Sequence, residues 1–304
     1  MTDLLDTLVI GGGPAGLTAA IYLARFHLKL RVIDAGDSRA EWIPLSHNHA
    51  GYPEGISGHE LVRRMREQAA IYGAVAERGC VERLTLTDGV YRAETTLGPI
   101  ATRTVLLATG TVNRSPPMPE AEHDEALARG LLRYCPVCDA YEASDKAIAV
   151  LGCDDRGARE ALFLRGYSRD VTLVDIAGDP GLDKQSRAAL ADAGVPIVNG
   201  PATRLRIDAD RIAVDVAGAC HYFDTLYPAL GSDVRSHLAA DVGARLEDDG
   251  CLTVDEHCRT GVVGLYAAGD VVEGLDQIST AMGQAGIAAT TIRNDLNHRA
   301  LIRR

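Results

Sequence analysis

The chain has 304 residues, 46% of them apolar, enough for two domains with separate cores. A net charge of −11 argues against nucleic acid as a partner, because holding phosphates needs a basic face. No apolar run is long enough to cross a bilayer, and the acidic start, Met1 to Asp6, lacks the features of a secretory signal, so a cytoplasmic protein is expected. Seven scattered cysteines do not read as an extracellular disulfide framework. Cys80, Cys153, Cys220, Cys251 and Cys258 are expected to be small buried apolar residues.

In chain order, the strand Leu8-Val9-Ile10 runs into Gly11-Gly12-Gly13-Pro14-Ala15-Gly16, and a helical pattern follows to about Phe26. Gly11 permits a tight turn, Gly13 lets backbone N–H groups approach a pyrophosphate, and Gly16 lets helix and strand pack closely. A second strand, Leu30 to Ile33, ends in Asp34, the right distance on to bind a ribose hydroxyl. Alone the glycines are a weak signal; strand, turn, helix, strand and acid together indicate dinucleotide binding. Ser38 to Ser57 reads as a loop with Trp42, His47, Asn48, His49 and Tyr52, either a cover for a flavin or an ordered surface loop; spacing does not decide. A helix over His59 to Tyr72 carries Arg63, Arg64 and Arg66, a run that usually marks a solvated face. Val75 to Leu86 and Val90 to Leu97 read as a hairpin, and Val105 to Ala108 as a buried strand ending at Thr109-Gly110. The prolines of Asn113 to Pro119 mark a domain boundary.

Next comes Tyr134-Cys135-Pro136-Val137-Cys138-Asp139. Cysteines at this spacing can close a small disulfide, and Pro136 suits the first turn of a helix, whose N-terminal dipole lowers a thiol pKa. The thiolate is the form that attacks disulfides, and Asp139 is a candidate proton donor or acceptor beside it. The competing reading is half a zinc site, but Cys251, His257 and Cys258 complete no zinc spacing well. A second strand, turn and helix follows: Ile148 to Leu151, Gly152-Cys153-Asp154-Asp155-Arg156-Gly157, then Ala158 to Leu164, with a partner strand Val171 to Val174 ending in Asp175. Here Asp154 stands where glycine would let a pyrophosphate approach. A helix over Leu182 to Ala193, short strands over Thr203 to Leu226 and a linker at Pro228 to Ser232 complete this portion. Gly264 to Asp270 is a buried strand ending in Gly269-Asp270, an acid suited to a ligand hydroxyl such as a ribityl chain. Gln277 to His298 is a long helix, and the tail to Arg304 is basic.

The order of these motifs, Gly11 to Gly16, Ala108-Thr109-Gly110, Cys135 to Asp139, Gly152 to Gly157 and Ala267-Ala268-Gly269-Asp270, resembles the low-molecular-weight thioredoxin reductase family of two-domain flavoproteins over essentially the whole chain. The resemblance implies an α/β protein of two Rossmann-like dinucleotide-binding-type domains (ββα, three-layer), the second inserted into the first. Residues 1–113 and 230–304 would bind FAD, and 114–229 would form an NAD(P)-binding-like domain carrying the cysteines. It implies that Cys138 faces the flavin, that Cys135 attacks the partner disulfide, and that Asp139 is the acid beside the pair. Gly269 and Asp270 would hold the ribityl and phosphate region, Gln277 and Ile278 would lie at the isoalloxazine edge, and Asn48 would fall in the flavin-covering loop. A thioredoxin-like protein or small disulfide as substrate and a homodimer are further implications.

The departures point to a branch. NADPH-using members have Gly-Gly-Gly-x-x-Ala at the second turn and a His-Arg-Arg cluster after the next strand; this chain has Gly152 to Gly157 as given and Asp175-Ile176-Ala177. In these missing motifs it is more similar to ferredoxin-dependent flavin thioredoxin reductases and diflavin-linked disulfide oxidoreductases. The donor expected is therefore ferredoxin, for which Arg63, Arg64 and Arg66 or Arg299 to Arg304 are weak candidate patches, or a second FAD. The alternatives are a conventional NAD(P)H-dependent reductase, with Asp175 on the ribose of NADH, or a dithiol oxidase using oxygen, a group in which His rather than Asp follows the second cysteine. Outside enzymology, a redox-silent flavin sensor would show no thiol-linked flavin reduction.

Overall fold

The structure is a computed structural model describing residues 4–178 and 181–299. It divides into two compact units, one within Met1–Ile43, Ile56–Val112 and Asp233–Arg304 and the other within Pro44–Gly55 and Asn113–Ser232. As the motifs predict, both units are α/β with parallel strands at their centres.

In the first unit the parallel order is Ala76–Arg78, Leu30–Asp34, Leu5–Ile10, Ile100–Leu107 and Leu265–Ala267, with Ile10 opposite Ile33 on one side and Leu107 on the other. Their central stretches, Leu8–Ile10, Val105–Leu107 and Leu265–Ala267, are continuous in buried apolar residues because parallel strands are covered on both faces. The strand expected at Val105 to Ala108 is longer, Ile100–Leu107, because its first residues pair with Val90–Thr95 while its last pair with Leu265–Ala267. The segment expected as one strand over Val75 to Leu86 is two: Ala76–Arg78 joins the parallel sheet, and only Val81–Thr87 forms the hairpin with Val90–Thr95. Helix Pro14–Arg25 packs against Gly58–Ile71 and Ile278–Arg299. The small residues Ala281, Ala285, Ala288 and Ala289 of the last helix are buried, which lets two helix backbones approach closely. A core of Leu8, Ile10, Leu84, Tyr91, Leu107, Leu252 and Leu265 joins sheet and hairpin.

In the second unit, Ile197–Val198, Val171–Val174, Ile148–Leu151 and Thr225–Pro228 form a parallel sheet in that order. An antiparallel sheet of Ala202–Asp208, Arg211–Val216 and Ala219–Phe223 lies apart from it in hydrogen bonding, and Ala149, Leu151, Leu205, Val214 and Phe223 share one core between the two. Helices Asp155–Leu164 and Lys184–Asp192 pack together, the latter shorter than expected because Asp183 caps it through Ser186 N.

Two cysteine expectations are corrected. Cys80 and Cys220 are exposed, whereas Cys258 is buried and Cys153 and Cys251 are half-buried. Cys80 sits in the turn between two strands, and Cys220 lies on the edge strand Ala219–Phe223, where its Sγ receives Arg206 Nη2 at 3.2 Å. The arginine run is also not a free basic patch. Arg63 pairs with Glu60 and Glu67, Arg64 with Glu60, and Arg66 with Glu41 and Asp34. The basic tail beyond position 299, and the side chain of Arg299 itself, lie outside the described residues.

Candidate functional site

The first glycine turn is built for close approach. A Cβ on Gly11, whose φ is +112°, would lie 2.2 Å from Ala108 O, and one on Gly16 would lie 1.9 Å from Gly11 O. Gly13 is the N-cap of helix Pro14–Arg25 and supplies no side-chain cap, so the first N–H groups of that helix are left to a ligand or solvent. Asp34 stands at the strand end, where the sequence predicts it; its Oδ1 accepts from Gly12 N and Gly36 N, each at 3.1 Å, and its Oδ2 faces Arg66 at 3.4 Å.

Gly269 brings a second helix start to the same turn. A Cβ on Gly269 would lie 3.0 Å from Ala15 Cβ and 3.4 Å from Ala281 Cβ, so the first turns of Pro14–Arg25 and Ile278–Arg299 meet there. Gly269 N donates to Gln284 Oε1 at 2.8 Å, and Gln277 O accepts from Ala281 N at the opening of the helix that Ile278 begins. Asp270 is held by Arg39, whose Nη1 reaches Asp270 Oδ2 at 3.2 Å, Asp276 Oδ2 at 2.7 Å and Thr111 Oγ1 at 3.3 Å. Burial pushes the Asp270 carboxyl up, Asp276 adds to this, and Arg39 opposes it. Thr109 Oγ1 donates to Arg235 O at 2.6 Å, so its hydroxyl fixes backbone, and Gly110 at φ +63° has open space where a side chain would be. The uncapped start of Pro14–Arg25, the start of Ile278–Arg299 beside it and the half-buried Asp270 suit the pyrophosphate and hydroxyls of FAD. Arg39 was not legible as a site residue, since its partners Asp270 and Asp276 lie 231 and 237 positions along the chain.

Asn48 falls in Pro44–Gly55, where its Oδ1 accepts from Ser46 Oγ at 3.0 Å.

In the second unit Cys135 and Cys138 form a disulfide, Cα to Cα 5.2 Å. Cys135 is the N-cap of the one-turn helix Pro136–Asp139, and its Sγ accepts from Cys138 N at 3.1 Å. Pro136 at the first position fits because it has no N–H to leave unpaired. Asp139 Oδ2 accepts from Arg133 Nη1 at 2.9 Å and Oδ1 accepts from Tyr227 OH at 2.9 Å. Burial raises the Asp139 carboxyl above its ordinary range, against the opposing pull of Arg133 and Tyr227. Tyr134 OH lies 2.8 Å from His123 Nε2, and burial pushes the phenol up to about 12.

The second glycine turn differs from the first at one atom group. Asp154 is the N-cap of Asp155–Leu164, and its Oδ1 accepts from Arg156 N at 3.0 Å and Gly157 N at 3.2 Å. A carboxylate of the chain therefore takes the N–H groups that the first turn leaves open. Asp175 is fully buried; its Oδ1 accepts from Ala177 N at 2.8 Å, while its Oδ2 has no partner among the described residues. Burial, and then the nearby Asp154 and Asp175 charges, raise the Cys153 thiol. The Arg156 guanidinium lies against Gly231, where a Cβ would be 2.8 Å from Nη1.

A family model described as pyridine nucleotide-disulphide oxidoreductase matches residues 5–285. The chain is 30% identical to a thioredoxin reductase of Mycolicibacterium smegmatis, covering 94% of each. Its fold is similar to the crystal structure of thioredoxin reductase from Streptococcus pyogenes, at TM-score 0.89 and 26% identity over 98% of this chain and 100% of that one. It is also similar to HlmI, at TM-score 0.87 and 29% identity over 98% and 95%. With the disulfide and the glycine turns, these matches place the chain in the pyridine nucleotide-disulphide oxidoreductase family, as a flavin-dependent disulfide oxidoreductase of the thioredoxin reductase-like kind.

Proposed function

We propose that the enzyme passes two electrons between FAD and the Cys135/Cys138 pair, exchanges them with a thioredoxin-like protein or a small disulfide, and does not draw them from NADPH. FAD supplies the two-electron chemistry. The chain's part is to hold it at Gly11, Gly13, Pro14, Ala15, Gly16, Asp34, Thr109, Gly110, Gly269 and Asp270, with Asn48, Gln277 and Ile278 as further contacts, and to hold the dithiol and its acid.

The observation that carries the donor reading is the Asp154 cap. A dinucleotide pyrophosphate would have to displace the carboxylate from Arg156 N and Gly157 N and then lie beside it. At about 5 Å and an effective dielectric near 20, one like-charge pair costs roughly 3 kcal/mol before solvent screening. At this exposed turn screening reduces that figure, leaving about tenfold to a hundredfold in affinity. Asp175 is fully buried with Oδ1 accepting from Ala177 N, much as the buried Asp34 accepts from Gly12 N and Gly36 N, so this residue does not separate the two readings. Electrons would come instead from a reduced protein such as ferredoxin or from a second flavin; the neutralised Arg63, Arg64 and Arg66 leave ferredoxin no patch on that helix. The second reading is a conventional NAD(P)H-dependent thioredoxin reductase, which the family description and the relatives' names favour.

Anaerobic stopped-flow mixing separates the two. With millimolar NADPH or NADH the flavin band should stay oxidised over milliseconds, while dithiothreitol should bleach it. Full bleaching by either nucleotide on that timescale restores the conventional reductase.

A further inference from the structure

Reduction of the Cys135–Cys138 bond takes two electrons from reduced flavin and, when both sulfurs leave as thiols, two protons. The reverse reaction returns them. Asp139 is the carboxyl beside the pair, and its surroundings are built from two separate parts of the second unit. Arg133, two residues before Cys135, donates Nη1 to Oδ2 at 2.9 Å and is itself anchored by Nε to Gly130 O at 3.2 Å. Tyr227 comes from the parallel strand Thr225–Pro228, is fully buried, and donates its hydroxyl to Oδ1 at 2.9 Å. Each carboxyl oxygen thus has its own donor on a different element, which fixes the plane of the group.

We propose that Arg133 and Tyr227 are positioning residues for the dithiol: together they orient Asp139 and set the pH at which it exchanges a proton with the Cys135/Cys138 pair. This rests on the reading of those cysteines as the redox pair. The charged and titratable groups facing Asp139 are Arg133 from the preceding segment, Tyr227 from the strand, and Glu142 from the following turn. Burial favours the neutral acid. The guanidinium and the phenol both favour the carboxylate, so without them a buried Asp139 would hold its proton to a higher pH. The sign follows: loss of either donor moves the titration upward, and loss of the charged one moves it further. Arg133 and Tyr227 therefore keep the group able to release a proton in a low-dielectric setting.

The test uses the FAD-loaded enzyme and two readouts. In carbon-13 spectra of protein with labelled aspartate carboxyls, the Asp139 resonance is identified by its loss in Asp139→Asn. Its titration midpoint should rise by about 1 pH unit in Arg133→Gln, rise less in Tyr227→Phe, and return most of the way in Arg133→Lys. The pH profile of anaerobic flavin reduction by dithiothreitol should shift in the same direction and order. A midpoint that stays put or falls in both variants, or rates that drop equally at every pH, would overturn the proposal and leave a purely structural role. Cys138→Ser in the same assay checks the underlying reading separately: flavin that is still bleached there removes the redox pair itself, whatever the carboxyl does.

Discussion

Cys135→Ser and Cys138→Ser should each lower disulfide exchange by on the order of a thousandfold or more, with the flavin still bound. The fold should survive, because serine is itself a good N-cap and can take the bond that Cys135 Sγ now accepts from Cys138 N. What serine cannot do is leave or attack as a thiolate. The Cys138 N–H aimed at Cys135 Sγ favours charge on that sulfur once the bond opens, which suits Cys135 to meet the substrate disulfide. With Cys135→Ser, Cys138 should still communicate with flavin but leave exchange incomplete; with Cys138→Ser, flavin and substrate should be uncoupled. Free thiol released from a thioredoxin-like disulfide, followed beside the flavin spectrum, checks both. Full turnover in Cys135→Ser would show that another thiol carries the reaction.

Gly16→Ala should cost more than about 3 kcal/mol and abolish flavin retention. The added methyl would sit 1.9 Å from Gly11 O and 2.9 Å from Gly11 C, backbone against backbone, with no flexible side chain to yield. Relief requires moving the helix start away from the strand end, and that displaces the same N–H groups expected to hold the pyrophosphate. Gly110→Ala is the control for added bulk at a glycine: its Cβ meets nothing within 4 Å, so its cost should be the smaller one of a positive φ. Bound FAD per chain and the urea midpoint read the two effects. A Gly16→Ala protein purified yellow with an unchanged midpoint would refute the close-packing account.

The parts of the fold legible in the sequence are those written over short distances. Strand, glycine turn, helix and acid occur twice within about 30 residues each, and the Pro136 helix start sits inside four residues. What escaped depends on register. Tyr227 reaches Asp139 across 88 positions because Thr225–Pro228 lies parallel to Ile148–Leu151, and Arg39 reaches Asp270 across 231. The Arg63 pairs were legible in principle, with Glu60 and Glu67 three and four residues away, whereas Glu41 on Arg66 was not. Cys220 was misplaced because cysteine's general preference for the interior says nothing about an edge strand.

The carboxylate of Asp154 also bears on how the second unit keeps its thermal stability. A domain that binds a nucleotide is stabilised by it, by about 2.7 kcal/mol at a hundred times the dissociation constant, so its melting temperature follows the cell's supply. Helix Asp155–Leu164 carries its anion covalently, at an effective concentration that no change in the pool can alter. On the proposed reading, in which no dinucleotide docks at this turn, the melting of the dithiol-bearing unit should not change when NADPH or NADH is added.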